Sequence, residues 1–136
     1  MTPRGIRNHN PLNIRRSDRT RWMGQKARQT DREFVQFQSD LFGLRAAFRI
    51  LRTYLCLYGL CTLRQVICRW APPEDGNNTD AYIDCVAERS GVRPDAFLDW
   101  SSADKLIDIV IAMAWVESRM KLTDRDLVRQ AYLLAR

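Results

Sequence analysis

The chain has 136 residues, 46% hydrophobic and 28% charged, which suits one globular core and excludes a disordered tail protein. Its longest uncharged stretch, Thr53 to Leu63, is 11 residues, well short of the roughly 18 needed for a membrane-spanning helix. The net charge of +6 is unevenly placed: the first 32 residues carry nine Arg or Lys against two Asp, and the remainder carries 13 against 14. Nearly all of that excess is arginine, which favours phosphate or carboxylate partners.

The N-terminal MTPRGIRNHNPLNIRR lacks the apolar core of a secretory signal. The expectation is therefore synthesis in the cytoplasm without a signal peptide. Residues 1–30 are rich in Asn, Pro, Gly and Arg, with Asn10-Pro11 marking a turn, and read as loop. Ile6, Leu12, Ile14, Trp22 and Met23 stud that loop, so it is expected to lie pinned against a core. The aromatic and β-branched run from Glu33 to Phe37 predicts a strand, pairing as a hairpin with a second strand at Arg21 to Gly24.

From Gly43 the period becomes helical through Leu44, Ala47, Phe48, Leu51, Leu55 and Leu57, with Gly59 as the stop. Thr62 caps a short helix to Trp70, ended by Ala71-Pro72-Pro73. After a polar loop, Asn78 or Thr79 opens a helix that stops at Ser90-Gly91. A short helical turn is expected at Pro94 to Leu98. Ser101 or Ser102 caps the most apolar helix, running to about Met120, and Thr123 with Asp126 opens a last helix to about Leu134. The sum is α+β but mostly helical: about five helices and one small β-hairpin, in a single domain 1–136 with a loop-and-hairpin part (1–42) and a helical part (43–136).

Cys56, Cys61, Cys68 and Cys85 form no CxxC pair and the only histidine is His9, so no metal and no cofactor is expected. Their apolar neighbours predict buried free thiols.

One carboxylate stands out on the helix from Ser102 to Met120. At about 100° per residue, Glu117 falls about 20° from Leu106, in the stripe of Val110, Met113 and Ala114, while Asp104, Lys105, Asp108 and Arg119 sort to the other side. Trp115 falls at about 180°, among those charges, and must pack on another element or line a surface. Glu117 has two readings at this point. It marks the rim of the core, paired with an arginine, or it is a poorly solvated general acid of the kind that protonates a glycosidic oxygen. Trp22, Trp70, Trp100, Trp115, Tyr54, Tyr58, Tyr82 and Tyr132 offer flat faces for sugar rings, and Asn8, Asn10, Asn13, Asn77 and Asn78 offer paired donors and acceptors.

RGIRNHNPLNIRR, then Trp22 with Gly24, FVQF, FGLRAAFRIL and RWAPPEDGNNTDAYIDCV follow an order that resembles a group of small bacterial and phage proteins labelled virion structural proteins. His9 stands where members often have Asn. Parts of the pattern are in turn similar to the lysozyme-like superfamily of peptidoglycan-cleaving glucosaminidases and lytic transglycosylases. Asn10 to Ile14 with Trp22 and Gly24 resembles the glucosaminidase loop and hairpin; Asn78-Thr79 with Tyr82 and Val86 resembles the stretch following the transglycosylase sugar groove. Glu117-Ser118 is similar to the catalytic Glu-Ser pair. That pair comes first in the superfamily and near the C-terminus here, an order that a circular permutation reconciles.

The resemblance implies a lysozyme-like fold and a muramidase or lytic transglycosylase that uses Glu117 as its acid, with Asn10, Asn13, Trp22, Asn78 and Tyr82 lining the groove. For a hydrolase, Asp31, Glu33, Glu74 and Asp75 are candidate second carboxylates. The implied partners are a peptidoglycan glycan strand and whatever delivers the protein to the wall: lysis, a virion or a secretion apparatus. The alternative is a non-catalytic virion or cell-wall component of the same fold that binds glycan or packs in an assembly. Nucleic acid is a poorer partner, because the arginines are scattered through a turn-rich stretch and form no known nucleic-acid motif.

Overall fold

A computed structural model describes residues 2–136. Its helices are α1 (Arg4–Arg7), α2 (Asp40–Cys56), α3 (Leu63–Trp70), α4 (Thr79–Ser90), α5 (Ala103–Ser118) and α6 (Arg125–Leu134), with one 3-10 turn at Pro73–Asp75. α5 is the central element. Leu106, Ile107, Ile109, Val110, Ala112, Met113 and Ala114 are all buried, so the middle of this helix is apolar nearly all round and must be surrounded. α4 packs along it most extensively, α6 and α2 lie against it, and α1 abuts its C-terminal end; α2 and α6 pack on each other, and α3 on α4. At the other end, Arg125 and Arg129 of α6 pair with Asp104, and Arg125 also with Asp108.

The helix ends follow local chemistry. The Thr62 side chain accepts from Gln65 N, Asn78 from Ala81 N and Asp124 from Leu127 N, each meeting one of the unpaired N–H groups of a first turn. The cap of the last helix is thus Asp124, not Thr123. Pro72 and Pro73 end α3 as expected. Pro94 to Leu98 forms no helix: Leu98 N donates to Cys61 O at 2.8 Å and Phe97 bridges Thr62. α2 starts at Asp40, ahead of Gly43, and α1 lies inside what was expected to be loop.

The expected α+β architecture is not what the chain adopts. Among the described residues there are six helices and no strand, only isolated bridges Arg15–Phe34, Gln25–Phe37 and Thr62–Phe97. No hairpin forms from Arg21–Gly24 and Glu33–Phe37, so the lysozyme-like α+β fold expected from the motifs is withdrawn. The reason is that side chains take up the backbone groups a ladder would use. Asn10 Nδ2 donates to Ile14 O and Val35 O, and its Oδ1 accepts from Ile14 N. Gln29 exchanges two bonds with the backbone of Gln36, whose own side chain accepts from Thr30 N. Short pairings remain, as in Val35 N to Ile14 O at 3.0 Å, but none runs on.

The N-terminal segment is pinned by part of its expected anchors: Leu12 and Ile14 are buried and Ile6 and Trp22 pack half-buried on the core, whereas Met23 is exposed; Asn10, Val35 and Phe37 are buried with them. Two glycines permit its close approach. A Cβ on Gly5 would lie 1.8 Å from Ser118 Oγ, and one on Gly43 would lie 2.1 Å from His9 O, distances no side chain tolerates. Asp31 organises the outer turn. Its carboxylate accepts from Arg4 Nε and Nη2 at 2.7 Å each, from Asn8 Nδ2 at 3.0 Å, and from the backbone N–H groups of Glu33 and Phe34.

Those donors, Arg4 foremost, hold the Asp31 carboxyl far below the usual carboxylate range. A depressed carboxyl stabilises the fold above its unfolded pKa and loses that contribution as the pH falls beneath it. Asp31→Asn is therefore expected to cost about 2–3 kcal/mol in urea unfolding at neutral pH, with the gap from wild type narrowing below about pH 4.

Candidate functional site

α5 carries Glu117 one residue before its last, where the helix leaves the packed centre and meets three other parts of the chain. Glu117 is half-buried. Its Oε2 accepts from Trp70 Nε1, at the end of α3, at 3.0 Å and from the Tyr82 hydroxyl, in the first turn of α4, at 2.9 Å. Asn13, in the left-handed region at φ 53°, donates from Nδ2 to the Glu117 backbone O at 2.9 Å. Next door, the buried Ser118 hydroxyl donates to Pro11 O at 2.7 Å. The N-terminal loop is thereby fastened to the α5 terminus on both sides of the helix's last peptide.

In front of Glu117 lies an open cleft of about 370 Å³, walled by Asn13, Arg15, Trp22, Tyr54, Asp75 and Asn77 among others. Burial raises the Glu117 carboxyl above the usual carboxylate range, against the opposing pull of Trp70, Tyr82, Asn13 and the positive charge of Arg15. Tyr82 is itself raised well above the ordinary phenol value by burial and by the neighbouring carboxylate, so its hydroxyl stays protonated as a donor. Both donors converge on Oε2, and Oε1 accepts no hydrogen bond from the described residues.

Of the residues singled out from the sequence, Glu117, Asn13 and Trp22 meet in the cleft wall. Tyr82 stands behind Glu117 as a buried donor. Asn10 is buried away from the cleft with both polar atoms engaged on backbone, and Asn78 caps α4. Among the four loop carboxylates, Asp75 lines the cleft, whereas Asp31 and Glu33 are held by Arg4. Nothing in the local pattern marks Trp70 as the partner of Glu117. Its place just before Ala71-Pro72-Pro73, where the chain must turn, marks it as a helix-end residue, and its ring as one of several aromatic faces. Arg15 was visible only as part of the basic first quarter.

The expected burial of the thiols does not hold. All four cysteines are free, but Cys56 and Cys68 are exposed and Cys61 and Cys85 partly so, because their apolar neighbours, not the thiols, take the inward positions. Among the described residues no group of three or more His, Cys, Asp or Glu gathers as a metal site.

The molecule is thus a small helical protein with a poorly hydrated carboxyl at the floor of an open cleft lined by aromatic, amide and arginine side chains. It is 38% identical over 112 residues to Protein P5 of Pseudoalteromonas phage PM2, an alignment covering 81% of this chain and 69% of that protein. The chain belongs to the family of that phage protein. No family model matches it.

The carboxyl's environment sets two expectations. A raised carboxyl weakens the fold as pH climbs from its unfolded pKa through its higher folded value. Glu117→Gln should therefore gain thermal stability relative to wild type as pH rises through that window, and match it below. Tyr82→Phe removes a donor to the carboxylate; in carboxyl-carbon NMR titration Glu117 should then titrate higher than in wild type, with about 1.5–3 kcal/mol of stability lost at neutral pH.

Proposed function

We propose that this chain is a structural component of a phage particle that engages the glycan strand of the bacterial cell wall through the cleft of Glu117. Membership in a phage protein family supports the first half of the reading. The composition of the cleft supports the second. Trp22 and Tyr54 offer faces for sugar rings, Asn77 offers an amide oxygen, and Arg15 offers a charge for the acidic lactyl and peptide groups of peptidoglycan, while Asn13 holds the wall in place through the Glu117 carbonyl.

One observation favours a further step, cleavage of the strand. Glu117 holds Oε2 against two fixed donors and leaves Oε1 without one among the described residues, a disposition that suits a general acid. In that reaction Oε1–H passes its proton to the oxygen between N-acetylmuramic acid and N-acetylglucosamine, and the C1–O bond breaks with its electron pair going to the leaving oxygen. A substrate group then closes on C1 and returns a proton to Glu117, the transglycosylase outcome. Alternatively water attacks, the hydrolase outcome, for which Asp75 is the carboxylate placed in the same cleft. Trp70 and Tyr82 hold the carboxyl in orientation throughout and stabilise it when it is charged.

The test is purified protein on isolated peptidoglycan, with soluble muropeptides and sedimentation of protein with the sacculi measured together. Release that falls about a hundredfold or more in Glu117→Gln, with sedimentation retained, is the expected result for the cleaving enzyme. Sedimentation without release, equal in both proteins, leaves the non-catalytic particle component. Failure to sediment with glycan removes the cleft from the function altogether.

A further inference from the structure

The C-terminal end of α5 carries a second surface, independent of the cleft. Trp115 precedes Glu117 by two residues, so at about 100° per residue its side chain leaves the helix on the opposite side. Three cations converge on its ring: Arg89 with its guanidinium carbon 4.4 Å from the centroid, Arg119 at 5.3 Å, and Lys121 with Nζ at 5.9 Å. Beside the ring is a cavity of about 320 Å³ whose apolar wall is Ile111, Ala112, Met120 and Leu122, with Arg89 and Lys121 at its edge.

The charge here is one-sided. Elsewhere Arg4 is paired with Asp31, Arg64 with Asp95 and Arg125 with Asp108, while Arg69 lies over Tyr54 and Tyr58 without a carboxylate, as a single cation. Among the described residues, Arg89, Arg119 and Lys121 make no ion pair, and no acidic residue lines the cavity. Bringing three like charges together over one ring costs repulsion that the aromatic face offsets only in part. Arg119 adds a second oddity. It ends α5 in the left-handed region at φ 52°, where glycine is the unstrained residue. The side chain that strain retains is the one whose guanidinium lies over Trp115.

We propose that this cavity is a docking site for an acidic peptide segment of another protein, one apolar side chain flanked by carboxylates. The apolar wall and the edge of Trp115 receive the side chain. The guanidiniums of Arg89 and Arg119, placed over the ring, supply N–H donors for the carboxylates, with Lys121 as a third donor. Shape selects a peptide over a lipid surface, since a concave site admits a projecting side chain to its floor and a flat headgroup layer meets only the rim. The site stands or falls separately from any chemistry at Glu117.

The experiment measures fluorescence anisotropy of fluorescein-labelled hexapeptides, each with Phe, Leu or Trp between Asp and Glu, titrated with the full chain at low salt. Sister peptides carry Gln or Lys in place of the acids. The acidic set is expected to bind, the Gln set about tenfold or more weaker and the Lys set not at all. The pair Arg89→Glu and Lys121→Glu should weaken acidic-peptide binding about tenfold or more and allow the Lys peptides to bind. Both side chains are exposed, so circular dichroism of that double variant should match wild type. Equal binding of acidic and Gln peptides overturns the proposal, as does binding untouched by the charge reversal. Absence of peptide binding alongside charge-dependent binding to phosphatidylglycerol vesicles overturns it in favour of a lipid surface.

Discussion

The junction of the N-terminal loop with the end of α5 is the constraint on which the cleft depends. Ser118 gives its hydroxyl to Pro11 O, Asn13 gives its amide to the Glu117 carbonyl, and Gly5 lies so close to Ser118 that no side chain fits between them. These contacts join residues more than a hundred positions apart in sequence. They fix Trp22, Arg15 and Asn13 relative to Glu117 and so supply the N-terminal wall of the cleft, opposite Tyr54, Trp70, Asp75 and Asn77. The amide network of Asn10, the carboxylate of Asp31 and its bidentate arginine keep the loop in shape so that it can make that junction.

The packing around α5 explains why it is so apolar. A helix enclosed by α2, α4 and α6 along its length has nowhere to place charge except at its ends. At the first end Asp104 and Asp108 meet the arginines of α6. At the other, Trp115, Glu117 and Arg119 diverge from one turn to serve different surfaces, Glu117 toward the cleft and the other two toward a basic patch. Two candidate sites thus share one helix end while facing away from each other.

Much of the helical frame was legible in the sequence, because it is written in spacing and caps. Thr62, the Pro72-Pro73 stop, Asn78 and the stop at Gly91 mark helix ends close to those observed, and the position of Glu117 within an apolar stripe follows from angular arithmetic alone. The region before residue 40 was harder to read. Its aromatic and β-branched run satisfies the pattern of a strand, but a ladder also needs free backbone groups, and here Asn10, Gln29, Gln36 and Asp31 occupy them. An amide's choice between bracing its own loop and reaching across to another element is a tertiary matter. That is why Asn10 and Asn13, three residues apart in similar company, end in different roles. The pairing of Glu117 with Trp70 and Tyr82 spans 47 and 35 residues and leaves no local trace.

The substitution of side-chain amides for a ladder also bears on how the molecule behaves in crowded surroundings. A hairpin in the N-terminal third would have offered a row of unpaired N–H and C=O groups to its neighbours, the usual seed of sheet extension between chains. The isolated bridges of this protein stop after single pairings, and Gln29, Thr30 and Gln36 close off their flanks. A chain built this way tolerates high local density of its own copies without adding them edge to edge.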